Sequence, residues 1–280
     1  MSPPPSSDAE TAKRADPLYV RSVEKAFRVL TAFGPGTPSL SLAQVAAAAG
    51  IDKSAAQRFS HTLERLGYLE REPGTGRLTL APRSLELGTH YIRASPLAGR
   101  AMPFLLDLSR TTEESVSLTV LDDTAVVYVV RFTSRHMVSS DVIVGTRLPA
   151  YCTAPGVAML ARLPPEEARL VLERTERRAY TPSTTWGLSE LTTKLADTAA
   201  RGYATAVEEL FPGDISLAAA ITGADGRGIG AISLSVTRAR MTPRKAEQRF
   251  APLVVATAQA LSLQVVPSPA MQVRSRTKER

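Results

Sequence analysis

Apolar residues recur at helical spacing near the beginning of the chain. Between residues 21 and 34 they follow steps of three and four: Val23, Ala26, Phe27, Leu30 and Phe33. This spacing predicts a helix with one buried stripe. Ser22 is the expected N-cap, and the Gly-Pro-Gly sequence at 34–36 predicts the end of the helix.

Two further helical patterns follow and are joined by a short turn. Ser41 is expected to cap the first, and Gly50 is placed to end it in a left-handed conformation. Asp52 or Ser54 is expected to cap the second. Two short helices joined by a glycine-containing turn predict a helix-turn-helix over residues 40–68. The predicted core-facing residues of its second helix are Ala56, Phe59, Leu63 and Leu66.

The opposite face of that helix carries residue types suited to a DNA major groove. Gln and Arg form bidentate contacts with adenine and guanine, and small Ser or Ala residues allow close approach. A solvent-exposed face carries the same residue types, so this face alone leaves both interpretations open. The residues predicted to point outward are Ser54, Ala55, Gln57, Arg58, His61 and Arg65.

Short alternating segments at 69–72 and 77–80 flank a Gly-rich turn, which predicts a β-hairpin. A free hairpin is marginally stable, so it is expected to pack on the helices as a wing does. The pattern therefore predicts a winged helix-turn-helix domain over residues 18–81 that binds double-stranded operator DNA. The expected DNA contacts are Ser22, Lys53, Ser54, Ala55, Gln57, Arg58, His61, Arg71 and Arg77.

The pattern changes from helical to alternating after residue 96. An apolar run at 82–96 predicts a linker helix that crosses to the next domain or pairs with its copy. Strands are predicted at 115–121, 125–132, 138–144, 203–207, 216–222 and 229–236, with helices between and after them. The predicted fold class is α+β, with an antiparallel sheet and stacked helices forming a second domain over 97–264.

The distribution of charge and the cysteine content refine this picture. The net charge is +7, with an excess of +3 in residues 1–95 and another +3 in 271–280, which suits contact with phosphates. Residues 1–17 are expected to be a disordered arm, and 265–280 a disordered basic tail. The single cysteine indicates a reducing cytoplasm, and neither a signal peptide nor a membrane span is expected.

Candidate catalytic chemistry is sparse. The three histidines are scattered, so no metal site is expected, and no cofactor is predicted. The glycine-rich stretch at 223–230 joins two strands, which favours a hairpin turn over a dinucleotide-binding loop. Cys152 with His136 suggests a nucleophile and base, but a lone cysteine is more often a small buried apolar residue. The sequence therefore argues against an enzyme.

A ligand pocket has better support. Tyr151, Cys152, Thr153 and Ala154 begin a predicted helix, where free N–H groups favour an anion. Hydroxyls on neighbouring strands would hold a carboxylate, with Arg131 and Arg147 as candidate counter-charges. Each of these hydroxyl groups, taken alone, is also typical of a solvent-exposed strand face. The candidate hydroxyls are those of Ser216, Ser233 and Ser235.

The residues at 19–25, 58–69 and 80–88 make the chain resemble the IclR family of bacterial transcriptional regulators over residues 18–262. The segments 144–154 and 180–182 resemble the subgroup that controls β-ketoadipate and protocatechuate catabolism. The resemblance implies a GAF-like or profilin-like effector domain and dimers that often pair into tetramers. It also implies aromatic acids or ring-cleavage dicarboxylates as effectors, such as 4-hydroxybenzoate, protocatechuate or β-ketoadipate.

By this resemblance, the family's effector loop corresponds to residues 152–154. Its acidic position at the end of a strand corresponds to Glu208 or Glu209. Its later hydroxyl or thiol positions correspond to Ser216, Ser233 and Ser235. Two segments depart from the family pattern: 154–157, and 211–215, where an acidic stretch ending in Gly-Leu-Arg is usual. The expected effector contacts are Arg131, Tyr151, Cys152, Thr153, Ala154, Glu209, Ser216, Ser233 and Ser235.

The predicted function is a regulator that senses a small organic acid and controls aromatic catabolism through the β-ketoadipate pathway. Two alternatives remain open on the sequence. One is a dimeric DNA-binding protein without a ligand, and the other is a Cys152-dependent enzyme with an accessory helix-turn-helix.

Overall fold

A computed structural model describes residues 16–136 and 142–263. The chain divides into two compact units, with the boundary between Tyr91 and Ile92. The predicted arm at 1–17 lies outside the described residues except for its last two, and the predicted tail at 265–280 lies wholly outside them.

The first unit packs three helices against a small antiparallel sheet. The helices are α1 (Arg21–Leu30), α2 (Leu42–Ala49) and α3 (Lys53–Arg65). The strands β1 (Ser39–Leu40), β2 (Leu69–Arg71) and β3 (Leu78–Leu80) form a sheet in the order β1-β3-β2. A 3-10 turn at Pro82–Ser84 then leads into α4 (Leu85–Ala94). The winged helix-turn-helix prediction is confirmed, with β1 as an additional strand beside the hairpin.

Local capping accounts for the turn between α2 and α3. Ser41 and Gln44 form a capping box at the start of α2. Gly50 ends α2 with a φ of +60°, and the N–H of Ile51 donates to the carbonyl of Ala46. A Cβ at Gly50 would also lie 2.5 Å from Nη2 of Arg28. The Asp52 carboxylate then caps α3 by accepting from the N–H of Ala55 at 2.8 Å.

The prediction for α1 was wrong in two respects. Val20 is the N-cap, without a side-chain cap, and Ser22 lies inside the helix. Val23 and Phe27, expected in the buried stripe, are 53% and 54% exposed, whereas Val29 is fully buried. Two overlapping stripes satisfy helical spacing here, and the packing of α2 and α3 selects the one that contains Val29. On α3, Leu66 was likewise expected in the core and is half-exposed.

The second unit contains a six-stranded antiparallel sheet in the order β6-β5-β4-β9-β8-β7. Its helices are α5 (Pro96–Thr112), α6 (Ala154–Leu160), α7 (Pro165–Arg174), α8 (Leu188–Arg201) and α9 (Pro243–Leu263). Its strands are β4 (Ser115–Asp122), β5 (Ala125–Phe132), β6 (Arg147–Pro149), β7 (Ala204–Val207), β8 (Asp214–Thr222) and β9 (Gly228–Thr237). The α+β prediction is confirmed.

Helices cover both faces of this sheet, with different side chains beneath them. Large residues such as Leu234 and Phe250 fill the core shared with α5 and α9. On the other face, Ala218 and Ala231 allow the buried helix α6 to approach closely. Helix α6 also lies close to the turn before it, because a Cβ at Gly156 would lie 2.1 Å from the carbonyl oxygen of Ala150. The small residues of this face leave room for a cavity at the beginning of α6.

The predicted third strand at 138–144 is wrong for its last three residues. Residues 138–141 lie outside the described residues, and 142–144 form a loop rather than a strand. The edge strand is β6, which was expected to be a loop and pairs with β5 through Val126 and Leu148. Strand β8 begins at Asp214, two residues before its predicted start, because Asp214 pairs with Thr237.

Candidate nucleic-acid interface and ligand cavity

Helix α3 presents a continuous polar face. The exposed residues on it are Lys53, Ser54, Gln57, Arg58, His61 and Arg65. Ala55, which was expected to point outward, is only 3% exposed and packs into the domain, so its predicted DNA contact is wrong. The hydrogen bond from the N–H of Ala55 holds the pKa of the Asp52 carboxyl below its ordinary value. The charged cap therefore fixes the beginning of the helix.

The two wing arginines are engaged within the protein. Arg71 forms an ion pair with Glu64 of α3, at 2.8 Å from Nη2 to Oε2, and Nη1 donates to the carbonyl of Gly76. Nε of Arg77 donates to Oγ of Ser39 at 3.0 Å. Both residues hold the hairpin against its neighbours, so contact with DNA would use the guanidinium N–H groups that these bonds leave over. Ser22 is exposed near the start of α1.

The second unit contains a cavity against the sheet at the beginning of α6. The space between its atoms amounts to about 450 Å³, part of which is open to solvent. Strands β5, β8 and β9, the start of α6 and the loop after β7 form its walls. Most of the residues predicted to contact a ligand do line it: Arg131, Cys152, Thr153, Ala154, Glu209, Ser216 and Ser235.

Three other candidates lie elsewhere. The Tyr151 hydroxyl is turned away from the cavity and donates to the carbonyl of Arg178 at 2.6 Å. Ser233 is buried between Ser117 and Ala218 on the sheet and does not line the cavity. Arg147 forms a surface ion pair with Asp122 at 2.5 Å. Strand alternation places Ser233 on the expected face, but the packing there leaves no opening to the cavity.

Arg131 places a half-buried cation in the cavity wall. Its Nη1 donates to Oγ of Ser117 at 3.0 Å, and its guanidinium lies 5.8 Å from the centre of the Tyr128 ring. Burial lowers the pKa of Arg131 from its ordinary value. Burial also raises the pKa of Tyr128 to about 12, so its phenol remains protonated. The cavity therefore presents both a cation and a neutral hydroxyl group.

Two carboxylates complete the charge distribution. Glu209 is buried and forms an ion pair with Lys194 of α8. Asp214 was missed from the sequence, although it lies two residues before Ser216 and shares its face of β8. Burial raises the pKa of Asp214 to about 7, and Arg131 opposes that effect. Every second residue of β8 faces the cavity, so continuing this pattern from Ser216 back by two residues would have identified Asp214.

Cys152 is unsuited to act as a nucleophile. The side chain is fully buried, and burial raises the pKa of the Cys152 thiol to about 12, leaving it protonated at neutral pH. His136, the candidate base, does not line the cavity. The Thr153 hydroxyl donates to the carbonyl of Pro149 at 2.9 Å. The geometry supports binding of a ligand more than covalent catalysis.

In the described part of the chain, no three His, Cys, Asp or Glu residues form a group able to hold a metal ion. Within residues 16–136 and 142–263, no helix has the length and apolarity required to cross a membrane.

A winged helix-turn-helix unit, followed by a separate α+β unit with a charged cavity, defines a DNA-binding regulator with an effector-binding domain. Two family models match this chain: the IclR helix-turn-helix domain over residues 22–73, and the C-terminal domain of the bacterial transcriptional regulator IclR over 89–263. The chain belongs to the IclR family of transcriptional regulators.

Relatives agree with this assignment. The chain is 32% identical to the Pca regulon regulatory protein of Pseudomonas putida, covering 92% of this chain and 90% of that protein. It is 29% identical to the p-hydroxybenzoate hydroxylase transcriptional activator of Acinetobacter baylyi, over 87% and 91% of the two chains.

Solved structures share the fold. A transcriptional regulator from Rhodococcus sp. RHA1 matches with a TM-score of 0.77 and 33% identity, over 88% of this chain and 98% of that one. An IclR homologue from Microbacterium hydrocarbonoxydans, solved in complex with 4-hydroxybenzoate, matches with a TM-score of 0.71 and 23% identity, over 86% and 98%.

Proposed function

We propose that this protein regulates genes of aromatic catabolism through the β-ketoadipate pathway in response to a small organic acid, and that it is not an enzyme. The observation that carries the proposal is the half-buried Arg131 in a cavity lined by hydroxyl groups. A buried guanidinium is a strong partner for a carboxylate. The similarity to the Pca regulon regulatory protein supports the pathway.

On the DNA side, the exposed face of α3 enters the major groove, with Gln57 and Arg58 contacting base edges. The protein binds as a dimer, so the half-sites form a pseudo-palindrome that follows its two-fold axis. Large apolar side chains that are more than half exposed in the first unit supply the contact between protomers, directly or as paired dimers. They are Leu18, Val20, Val23, Phe27, Leu85, Leu87 and Tyr91.

The acid controls DNA binding by linkage. An effector that binds one arrangement of the dimer more tightly shifts the equilibrium towards that arrangement. The affinity for the operator changes by the same factor by which the operator changes the affinity for the effector. The cavity therefore determines when the protein binds DNA, and α3 determines where.

The DNA contact is tested by Arg58→Ala, with Arg110→Ala on the exposed surface of α5 as the matched control. The probe is a duplex selected by the wild-type protein from a random-sequence library. Arg58→Ala should weaken binding by about 1–3 kcal/mol, because one bidentate base contact is lost. Equal affinity of both variants in fluorescence anisotropy would refute the assignment of α3.

The effector site is tested by Arg131→Gln, with Arg147→Gln as the control outside the cavity. The ligands are 4-hydroxybenzoate, protocatechuate and β-ketoadipate, titrated by calorimetry. Loss of the buried guanidinium should weaken binding about tenfold or more, whereas Arg147→Gln should bind like the wild type. If none of the three acids binds the wild-type protein, the alternative of a ligand-independent DNA-binding protein is favoured.

A further inference from the structure

The sheet face that lines the cavity carries opposite charges on two different strands. Arg131 projects from β5 and Asp214 from β8, with β4 and β9 between them in the sheet. Three strand spacings separate the two parent strands by about 14 Å. Both side chains reach over the same sheet face into one cavity. Between them lie Ser216 and Ser235, whose hydroxyl oxygens are 3.3 Å apart.

Asp214 differs from the other acid of the cavity. Lys194 neutralises Glu209, whereas Asp214 has no ion pair within 4.0 Å among residues 16–136 and 142–263. The remaining titratable groups facing the cavity are Tyr128 on β5 and Cys152 before α6, and both stay neutral at pH 7. Above pH 7, where Asp214 has lost its proton, Arg131 and Asp214 are therefore a cation and a carboxylate that both line the cavity.

We propose that Asp214 determines which acid binds: the effector carries one carboxylate, held by Arg131, and a hydroxyl group at its far end that donates to Asp214. This inference rests on the proposed function, in which the cavity binds an organic acid. It selects a hydroxylated aromatic monoacid over a dicarboxylate.

Electrostatics provides the reason for the selection. A hydroxyl group that donates to a carboxylate forms a charge-assisted hydrogen bond, which is stronger than one between neutral groups. A second ligand carboxylate would instead face Asp214 with like charge in a poorly solvated space. One of the two groups would then have to take up a proton or the ligand would bind weakly.

Three ligands of matched shape test the inference: benzoate, 4-hydroxybenzoate and terephthalate, which differ only in the para substituent. Calorimetry on the full-length wild-type protein above pH 7, where Asp214 is ionised, should show 4-hydroxybenzoate binding about tenfold or more tightly than benzoate. This is the factor expected of a hydrogen bond to a charged group. Terephthalate should bind most weakly. Equal affinities for 4-hydroxybenzoate and terephthalate would overturn the proposal.

Two substitutions of Asp214 distinguish the effect of its charge from the effect of its hydrogen bond to the ligand. Asp214→Asn should improve terephthalate binding about tenfold or more by removing the like charge. Asp214→Leu should bring the affinities for 4-hydroxybenzoate and benzoate together. Asp197→Asn on the exposed surface of α8 is the control and should preserve the wild-type order. Thermal unfolding and operator binding verify that each variant is folded.

The outcomes distinguish the inference from the proposed function. If the protein binds an acid but neither Asp214 substitution changes the order of affinities, the inference is overturned. The proposed function is not affected by that result. A different result would be that benzoate, 4-hydroxybenzoate, terephthalate, protocatechuate and β-ketoadipate all fail to bind while operator binding is intact. That result overturns both the inference and the proposed function.

Discussion

The buried carboxyl group of Asp214 makes the stability of the second unit depend on pH. The ordinary pKa of 3.8 applies in the unfolded chain, and burial raises the folded value to about 7. Between these values the folded state holds a proton that the unfolded state has released. Stability therefore falls as the pH rises through this window, and the full cost is present above pH 7. Asp214→Asn removes the titrating group and should remove this dependence.

The size of the effect follows from the two pKa values. Each pKa unit corresponds to about 1.36 kcal/mol, and the slope halves at the folded pKa, so the wild-type protein should lose about 2 kcal/mol between pH 5 and pH 7 that the variant keeps. This value is an upper estimate, because Asp214 retains partial contact with solvent. For a unit of about 150–250 residues, the Tm difference should grow by about 4–8 °C over that range.

Trp186, the only tryptophan, lies in the second unit and provides the assay. Thermal unfolding followed by its fluorescence gives the Tm of wild type and variant from pH 5 to pH 8. The exposed substitution Asp197→Asn should keep a constant offset from the wild type. A constant offset for Asp214→Asn as well would refute the reasoning, since it would mean that Asp214 does not titrate in this window.

Two further predictions concern the beginning of α6. Gly156→Ala should lower the Tm of the second unit by more than an exposed Gly99→Ala does on α5, because the added Cβ would meet the carbonyl oxygen of Ala150 at 2.1 Å. Tm values that fall equally would contradict this close approach. Cys152 should react with iodoacetamide far more slowly in the folded protein at pH 8 than in urea, because its thiol is buried and protonated. Mass spectrometry measures the extent of labelling, and equal rates would contradict the burial.

Local chemistry made the first unit predictable. The cap of Ser41 and the turn at Gly50 act over four or five neighbouring residues, so their spacing in the sequence predicts the helix boundaries. The same reasoning failed for α1, where two apolar stripes overlap and Val29 rather than Val23 is buried. Propensity favours a helix in either case, and only the neighbouring elements select the face.

The cavity was predictable in part. Residues Cys152 and Thr153 were found because they precede a helix, and Ser216 and Ser235 because they alternate along strands. The same rules included Ser233 and Tyr151, which lie outside the cavity, and omitted Tyr128 and Asp214, which line it. Alternation gives the face of a strand, but it does not show how far along that face a cavity extends.

The sequence by itself determined the order of the elements, the helix-turn-helix and the resemblance to a family, because each depends on spacing between near neighbours. The tertiary structure alone determined that Arg131 and Asp214 face one cavity. The two residues are 83 positions apart and meet only because β5 and β8 join the same curved sheet. Burial at that place, rather than residue type, also raises the pKa of Asp214 to about 7, since desolvation depends on everything packed around the carboxyl group.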